Sequence, residues 1–496
     1  MSVLTSLARA HASNQEIAQR LTTVRHLHVS AEPLVFVPLS MAGEAHAPLA
    51  VMIGNRPDQP ELLTVSQPRN RDQQIIFAQK LARIFAGYIT PRANRRVPLP
   101  AKGSRLQSRC LDAPQLWVPN RAGVDFIRVL GRSTRFRGIT GEGAVPPTIP
   151  VMGKWLTFLA DRAECAGSCM LVAATDALAM HWATGQSPEE DQHLPALLSW
   201  IAPPPDKTGR QAARFCENPL NVPPAGPATD PSFDNCVLEH LLARLHEAAG
   251  PTASRIAEHK IHKALQDQVA GTWQRMWQAI DLLRDPVLPV GERVGVRWGR
   301  DLDAFTSTAE WIANTPQAQR KRDSAVHAAR RLYWLERAQQ QYDAERAFDD
   351  PMVMAEARMT GEAFVGTVVA AETNRHIGKK LRPLITVATP DAVSLTEGET
   401  GLRRPELLAQ KTTIVSVTRD GDTMLVQLEL REGMGGGYEP RPGTVPAVGD
   451  TVCYSLFNDD FRRAPTLPAN EDTPWTHGGP PEPYLPTRQD AQEPWT

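Results

Sequence analysis

The 496-residue chain is 42% apolar and 22% charged, and its 54 basic and 55 acidic side chains nearly cancel, at a formal charge of −1. A chain of this length outgrows a single core and predicts roughly two to four domains of ordinary soluble composition. No run of 18 apolar residues occurs, so no membrane-spanning helix is expected, and any strong electrostatic field has to come from a local excess.

The first 21 residues interrupt their apolar positions early with polar ones, which argues against a secretory leader. They predict an amphipathic helix with Leu4, Leu7, Ile17 and Leu21 on one side. His26 and His28 alternate on an extended stretch and read as a solvated pair, because a metal site would need a third ligand. Three short apolar runs follow, Leu34–Leu39, Leu49–Ile53 and Leu62–Val65, each bounded by Pro, Gly or Asn as strands are. Arg71 to Tyr88 then has helical spacing, with Ile75, Leu81, Ile84, Phe85 and Tyr88 apolar. Strands followed by a helix predict a small α/β unit over residues 1–150.

Within that unit, residues 92–137 carry ten Arg and one Lys against two acids, Asp112 and Asp125. Such a density of cations repels itself unless anions or distant carboxylates lie beside it. Guanidinium pairs with phosphate in a planar, bidentate way that ammonium does not. The candidate contacts for a phosphate-bearing partner are Arg92, Arg95, Arg96, Lys102, Arg105, Arg109, Arg121, Arg128, Arg132, Arg135 and Arg137. Trp117, Phe126 and Phe136 interleave with them and suit either base stacking or a core. The competing reading is internal, with acids elsewhere in the chain, such as Glu189, Glu190 and Asp191, pairing with the arginines in the fold.

Residues 151–201 show a helical pattern with Trp155, Leu156, Phe158, Leu159, Leu171 and Met180 available to a core. Residues 202–232 are dense in Pro and predict a linker or a long surface loop. A helical domain is expected over 233–350. Its last helix has an apolar stripe of Ala325, Ala328, Leu332, Leu335 and Tyr342, while Arg330, Trp334 and Arg337 share another face and join the candidate contacts. From Glu362 the period changes to two. Five strand-like runs, separated by turn chemistry such as Asp420-Gly421-Asp422 and the glycines at 433 and 435–437, predict a small antiparallel barrel, OB-like or SH3-like, over 361–460. Residues 463–496 are Pro-rich and unpatterned and predict a disordered tail, in which Trp475 and Trp495 stand in two similar fragments that suit a docking motif or chance repetition.

Enzyme motifs are mostly missing. The chain has no GxxxxGK[ST], no GxSxG elbow and no HExxH helix. A metal-dependent nuclease would need two acids and a Lys around a strand pair; Asp58 precedes such a strand, with Glu61 and Lys80 nearby, but the usual spacing is not met. Cys165, Cys169, Cys216, Cys236 and His240 include ligand types for zinc, yet their apolar surroundings suit buried free thiols in a reducing cytoplasm. No metal or cofactor is expected. The sequence therefore predicts an α+β multidomain, cytoplasmic, nucleic-acid-binding accessory protein without its own nucleotide motor, with a further protein partner at the barrel or tail. The alternatives are a nuclease or other hydrolase on the N-terminal unit and a non-enzymatic interaction scaffold. Whether DNA or RNA is bound is left open.

Overall fold

A computed structural model describes residues 2–42, 48–99, 108–314, 325–458 and 465–469. Lys102 and Arg105, and the tail tryptophans Trp475 and Trp495, lie outside the described residues. The chain divides into two compact units, the larger built mostly from residues 25–335 and the smaller mostly from 336–464. Among the described residues no helix is long and apolar enough to cross a membrane.

The larger unit is organised by one five-stranded sheet. Its strands are β1 (Leu34–Ser40), β2 (Pro48–Gly54), β3 (Glu61–Thr64), β4 (Leu116–Val118) and β5 (Leu171–Ala173), in spatial order β3-β2-β1-β4-β5. Only β2 runs against the others: it pairs antiparallel with β1 and β3, while β1, β4 and β5 are mutually parallel. The three short apolar runs are thus the strands expected. They lack polar alternation because both faces are buried. Leu34 and Phe36 face a core with Leu81, Phe85, Ile127 and Leu156. Val35, Val37 and Leu39 face a second core with Trp117, Ile261 and Leu265.

Helices α1 (Arg71–Asn94), α2 (Arg121–Arg135) and α3 (Thr148–Ala163) supply the first of these cores, and α4 (Leu194–Ile201) and α5 (Pro251–Arg284) supply the second. Asn70 starts α1 by accepting from the backbone N–H groups of Asp72 and Gln73, and Asn120 starts α2 by accepting from Gly123 N. Gly131 lets α2 approach α3, since a Cβ there would sit 2.8 Å from Thr157 N. Helix α6 (Val294–Asn314) adds Phe305 and Ala309 to the first core. Because β5 joins the sheet and α5 covers it, residues 151–201 and 251–284 belong to the same unit as the first three strands. The Pro-rich stretch 202–232 also folds onto this unit: Gly209–Glu217 is helical with Ala213 and Cys216 buried against Trp200, and Ser40 bridges Ala228.

The N-terminal helix differs from expectation. It runs Val3–Gln15 with only Ala12 buried, and Glu16 takes a positive φ of 55°, so Ile17 and Leu21 fall outside it. The histidine pair is not solvated either. His26 is 1% exposed and its backbone N–H donates to His181 Nε2 at 3.1 Å, while His28 stacks on Trp298 with ring centroids 4.1 Å apart. Burial, with Arg25 nearby, pushes His28 down to about 4.

Helix α7 (Ala325–Asp349) belongs to the smaller unit from Glu336 onward, and α8 (Pro351–Thr360) leads into the sheet. Asp350 caps α8 by accepting from Met352 N, and Gly361 closes it in the left-handed region at φ 79°. Six strands then form a closed antiparallel barrel: β6 (Ala363–Glu372), β7 (Leu384–Thr389), β8 (Thr400–Arg404), β9 (Leu407–Asp420), β10 (Thr423–Leu430) and β11 (Thr451–Ser455). Their order is β6-β7-β10-β9-β8-β11, and β11 closes back onto β6. Alternation points Ile385, Val387, Val426, Leu428 and Leu430 into a core with Phe364 and Tyr454. Asp391 ties α8 to the barrel, accepting from Arg358 at 2.7 and 2.9 Å and from Val365 N at 2.8 Å. In α7 the buried residues are Tyr342, Ala344, Glu345 and Ala347; Leu332 of the expected stripe is 56% exposed.

Candidate nucleic-acid interface

The arginines of residues 92–137 are distributed over the larger unit, and Arg92, Arg96, Arg109, Arg121 and Arg128 each meet a carboxylate. Arg92 lies 3.8 Å over the Tyr88 ring, with Nε 3.1 Å from Asp112 and Nη2 3.5 Å from Glu32. Arg96 and Arg109 both reach acids of α6: Arg96 sits 2.8 Å from Glu310, and Arg109 sits 2.7 Å from Asp303 and donates to the Gly299 carbonyl. Arg121 pairs with Asp176 at 2.9 Å. Arg128 joins Asp125 at 2.7 Å and Glu164 at 3.1 Å, and Glu164 also holds Arg331 at 2.6 Å. Arg132 and Arg135 occupy the last turn of α2, where cations complement the helix dipole. Arg135 lies 4.6 Å over Phe136, and Arg137 donates to the Ser133 carbonyl at 3.1 Å. Arg95 is exposed and has no ion pair among the described residues. The interleaved aromatics Trp117, Phe126 and Phe136 are all core residues and offer no stacking surface.

On α7, Arg330 is exposed without an ion pair among the described residues. Trp334 is partly exposed and meets Tyr333 edge-on at 5.3 Å, and Arg337 donates to Gln340 at 3.2 Å. Asp58, the candidate nuclease acid, pairs with Arg56 at 3.4 Å on a surface where both side chains are well exposed. Among the described residues no group of three or more His, Cys, Asp or Glu is placed to hold a metal ion. All six cysteines are free; burial raises the Cys169 thiol to about 12.

The barrel carries a denser arrangement. Glu429 stands on β10 at a position that alternation turns outward, between Leu428 and Leu430. Three guanidiniums converge on it: Arg375 at 3.0 Å, Arg431 at 3.2 Å and Arg382 at 4.0 Å. One carboxylate therefore serves three cations, and two positive charges remain unbalanced at this point. Beside it, His376–Ile377 and Lys380–Leu381 form a two-stranded hairpin whose tip holds Gly378 at φ 62°. Lys379 and Lys380 at that tip are exposed and have no ion pair among the described residues. The His376 ring stacks on Tyr438 with centroids 4.1 Å apart and planes 19° apart, and His376 Nε2 lies 3.0 Å from the Tyr438 carbonyl. Tyr438 itself is 77% exposed. It follows the glycine cluster, so a turn rather than a strand presents it.

None of these barrel residues was among the sequence candidates. The available signals were the Gly378-Lys379-Lys380 triplet and an aromatic at the end of a glycine run. No protein-family model, curated protein or solved structure matches this chain.

Proposed function

We propose that this protein binds nucleic acid through the outer face of its barrel, as an accessory protein without a nucleotide motor of its own. The convergence of Arg375, Arg382 and Arg431 on the single carboxylate of Glu429 carries this reading. The excess charge attracts phosphate, and guanidinium supplies the fork that phosphate oxygens accept from. Lys379 and Lys380 extend the positive surface along the hairpin. Tyr438, already stacked on His376, offers its exposed area to a base, and stacking of this kind contributes about 1–3 kcal/mol per base. Stacking needs an unpaired base, which favours a single strand of either sugar over a duplex. In this role the barrel would serve as an OB-like or SH3-like strand-binding module. Arg95 and Arg330, exposed and without ion pairs among the described residues, are the arginines best suited to add phosphate contacts.

The test is a salt titration of binding to single-stranded DNA, duplex DNA and RNA. With about four unbalanced cations engaged, log affinity for a single strand should fall with log salt at a slope of roughly −3. Replacing Lys379 and Lys380 by Ala should flatten that slope by about 1.4, and Tyr438→Ala should weaken binding without changing the slope. Affinity and slope unchanged in both variants would remove the barrel face from the interface.

A further inference from the structure

The His376 ring lies between two carbonyl oxygens. Its Nδ1 is 2.8 Å from that of Asn374, and its Nε2 is 3.0 Å from that of Tyr438. A carbonyl oxygen only accepts, so each ring nitrogen needs a proton to make its bond. Either neutral tautomer has a single N–H and would set a bare lone pair against the other carbonyl. The imidazolium, with two N–H groups, satisfies both contacts at once.

What this ring fastens is the loop that presents Tyr438. The loop is anchored at its base, where Met434 is buried in the barrel core and Arg441 N donates to the Met434 carbonyl at 2.9 Å. Between these anchors, among the described residues, the bond to His376 is the one that ties residues 435–440 to the barrel, and the His376 stack adds the ring of Tyr438 to the same contact. Loss of the second proton would release the loop side of this arrangement. Asn374 lies two residues before His376 in the same turn, whereas Tyr438 belongs to a distant segment that can move away. The charges around the ring are mostly positive: Arg375, Lys379 and Lys380 on its own hairpin, Arg382 after it, Arg431 after β10 and Arg441 in the loop, against Glu429 on β10 and Glu439 beside Tyr438. The phosphates of a bound strand would add negative charge here and favour the protonated ring further.

We infer that His376 is a positioning residue of the barrel face: its imidazolium latches the Tyr438 loop in place for stacking, so single-strand binding takes up a proton and strengthens as pH falls. This rests on the barrel face being the nucleic-acid site, and the two are tested by separate readouts. The latch is read without ligand, from the fluorine NMR line of Tyr438 in the full chain labelled with fluorotyrosine, assigned among six tyrosines by its loss in Tyr438→Phe. A held ring should give a broad line at about pH 5.5 and a swinging ring a narrow one at about pH 8, while His376→Ala should be narrow at both. Affinity for oligothymidylate should rise about tenfold between the same two conditions in the parent. Most of that rise should vanish in His376→Ala and in Tyr438→Ala. Equal line widths at both pH values, or a full rise retained in either variant, would overturn the latch; retention in Tyr438→Ala would mean that the charge of His376 acts on phosphate alone. A pH-dependent line with no binding in either condition would leave the latch standing and overturn the reading of the barrel face instead.

Discussion

In the sheet unit several guanidiniums of residues 92–137 meet acids one to one, whereas on the barrel three guanidiniums share Glu429. Arg96 with Glu310, Arg109 with Asp303 and Arg121 with Asp176 are one-to-one pairs that join segments far apart in the chain. Around Glu429 the cations outnumber the acid, and the local arrangement holds together with charge to spare. Arginine count is therefore a poor guide to where an anion binds. The ratio of cations to acids in space is the better one, because neutralised guanidiniums project little field. Charge changes in the first region should act on stability, and charge changes in the second on binding.

The largest effect expected from this division is at Asp301, which is fully buried. Its carboxylate accepts from Arg162 at 2.6 Å, Ser168 Oγ at 2.7 Å and Cys169 N at 2.7 Å. Asp301→Ala leaves Arg162 and two further donors unmatched and should cost about 3–5 kcal/mol of stability. Denaturant melting checks this, and barrel affinity for a single strand should not move under conditions where the variant is folded. Glu429→Gln comes next. It keeps the shape of the side chain and removes the one acid among three arginines, so stability should fall by about 1–2 kcal/mol. Affinity for a single strand should at the same time rise about three- to tenfold, since the competing anion is gone. A fall in both quantities would mean that Glu429 positions the arginines rather than competes for them.

Much of the fold was legible in the sequence. The strands Leu34–Ser40, Pro48–Gly54 and Glu61–Thr64 and five of the six barrel strands coincide with apolar or alternating runs. The sixth, Thr400–Arg404, was hidden because its buried residues include Arg403 and Arg404, whose guanidiniums donate to the carbonyls of Leu408 and Thr444. Two adjacent buried arginines break the hydrophobic period of this strand. The density of arginine over residues 92–137 was equally plain, but its partners were not. Glu310, Asp303 and Glu164 lie well outside that segment in sequence, and spacing alone does not reveal such pairs. Glu429 looked like an ordinary polar position of an alternating strand, and Tyr438 sits in a glycine-rich turn that no periodicity marks.

A subtler check on the sheet unit uses two groups that titrate in the same window with opposite sign. Burial raises Asp191 to about 6 despite its bond from Thr184 at 2.6 Å and Arg9 at 3.4 Å. Its folded pKa exceeds the unfolded value, so its contribution is full below about pH 4 and is lost as pH rises through 6. His28, lowered to about 4, behaves in the reverse way: its contribution is full above about pH 6.5 and is lost as pH falls through 4. The two partly offset each other. Asp191→Asn should therefore make stability climb more steeply between pH 4 and 6 than in the parent, by on the order of 1 kcal/mol across that window. A parallel pair of pH profiles would show that Asp191 does not titrate there.

The smallest effect belongs to the pair that could undo the comparison. Arg95 is exposed and without an ion pair among the described residues, while Arg96 meets Glu310 at 2.8 Å on a partly exposed surface. Replacing both by Ala should cost no more than about 1 kcal/mol, because surface pairs of this kind contribute little. If the arginines of the larger unit serve structure, affinity for single strands and its salt slope should stay as they were. If they grip phosphate as their density suggested, affinity should fall for all sequences alike and the slope should flatten by about 1.4 for two lost contacts. The Arg95→Ala single variant separates the two residues: Arg96 has a carboxylate to leave before it can reach a phosphate, and Arg95 does not. A loss confined to Arg95 would keep the rule that unbalanced cations bind anions and would add a second contact to the barrel face. An equal loss from Arg96 alone would break that rule, since a paired guanidinium would then be binding as strongly as a free one.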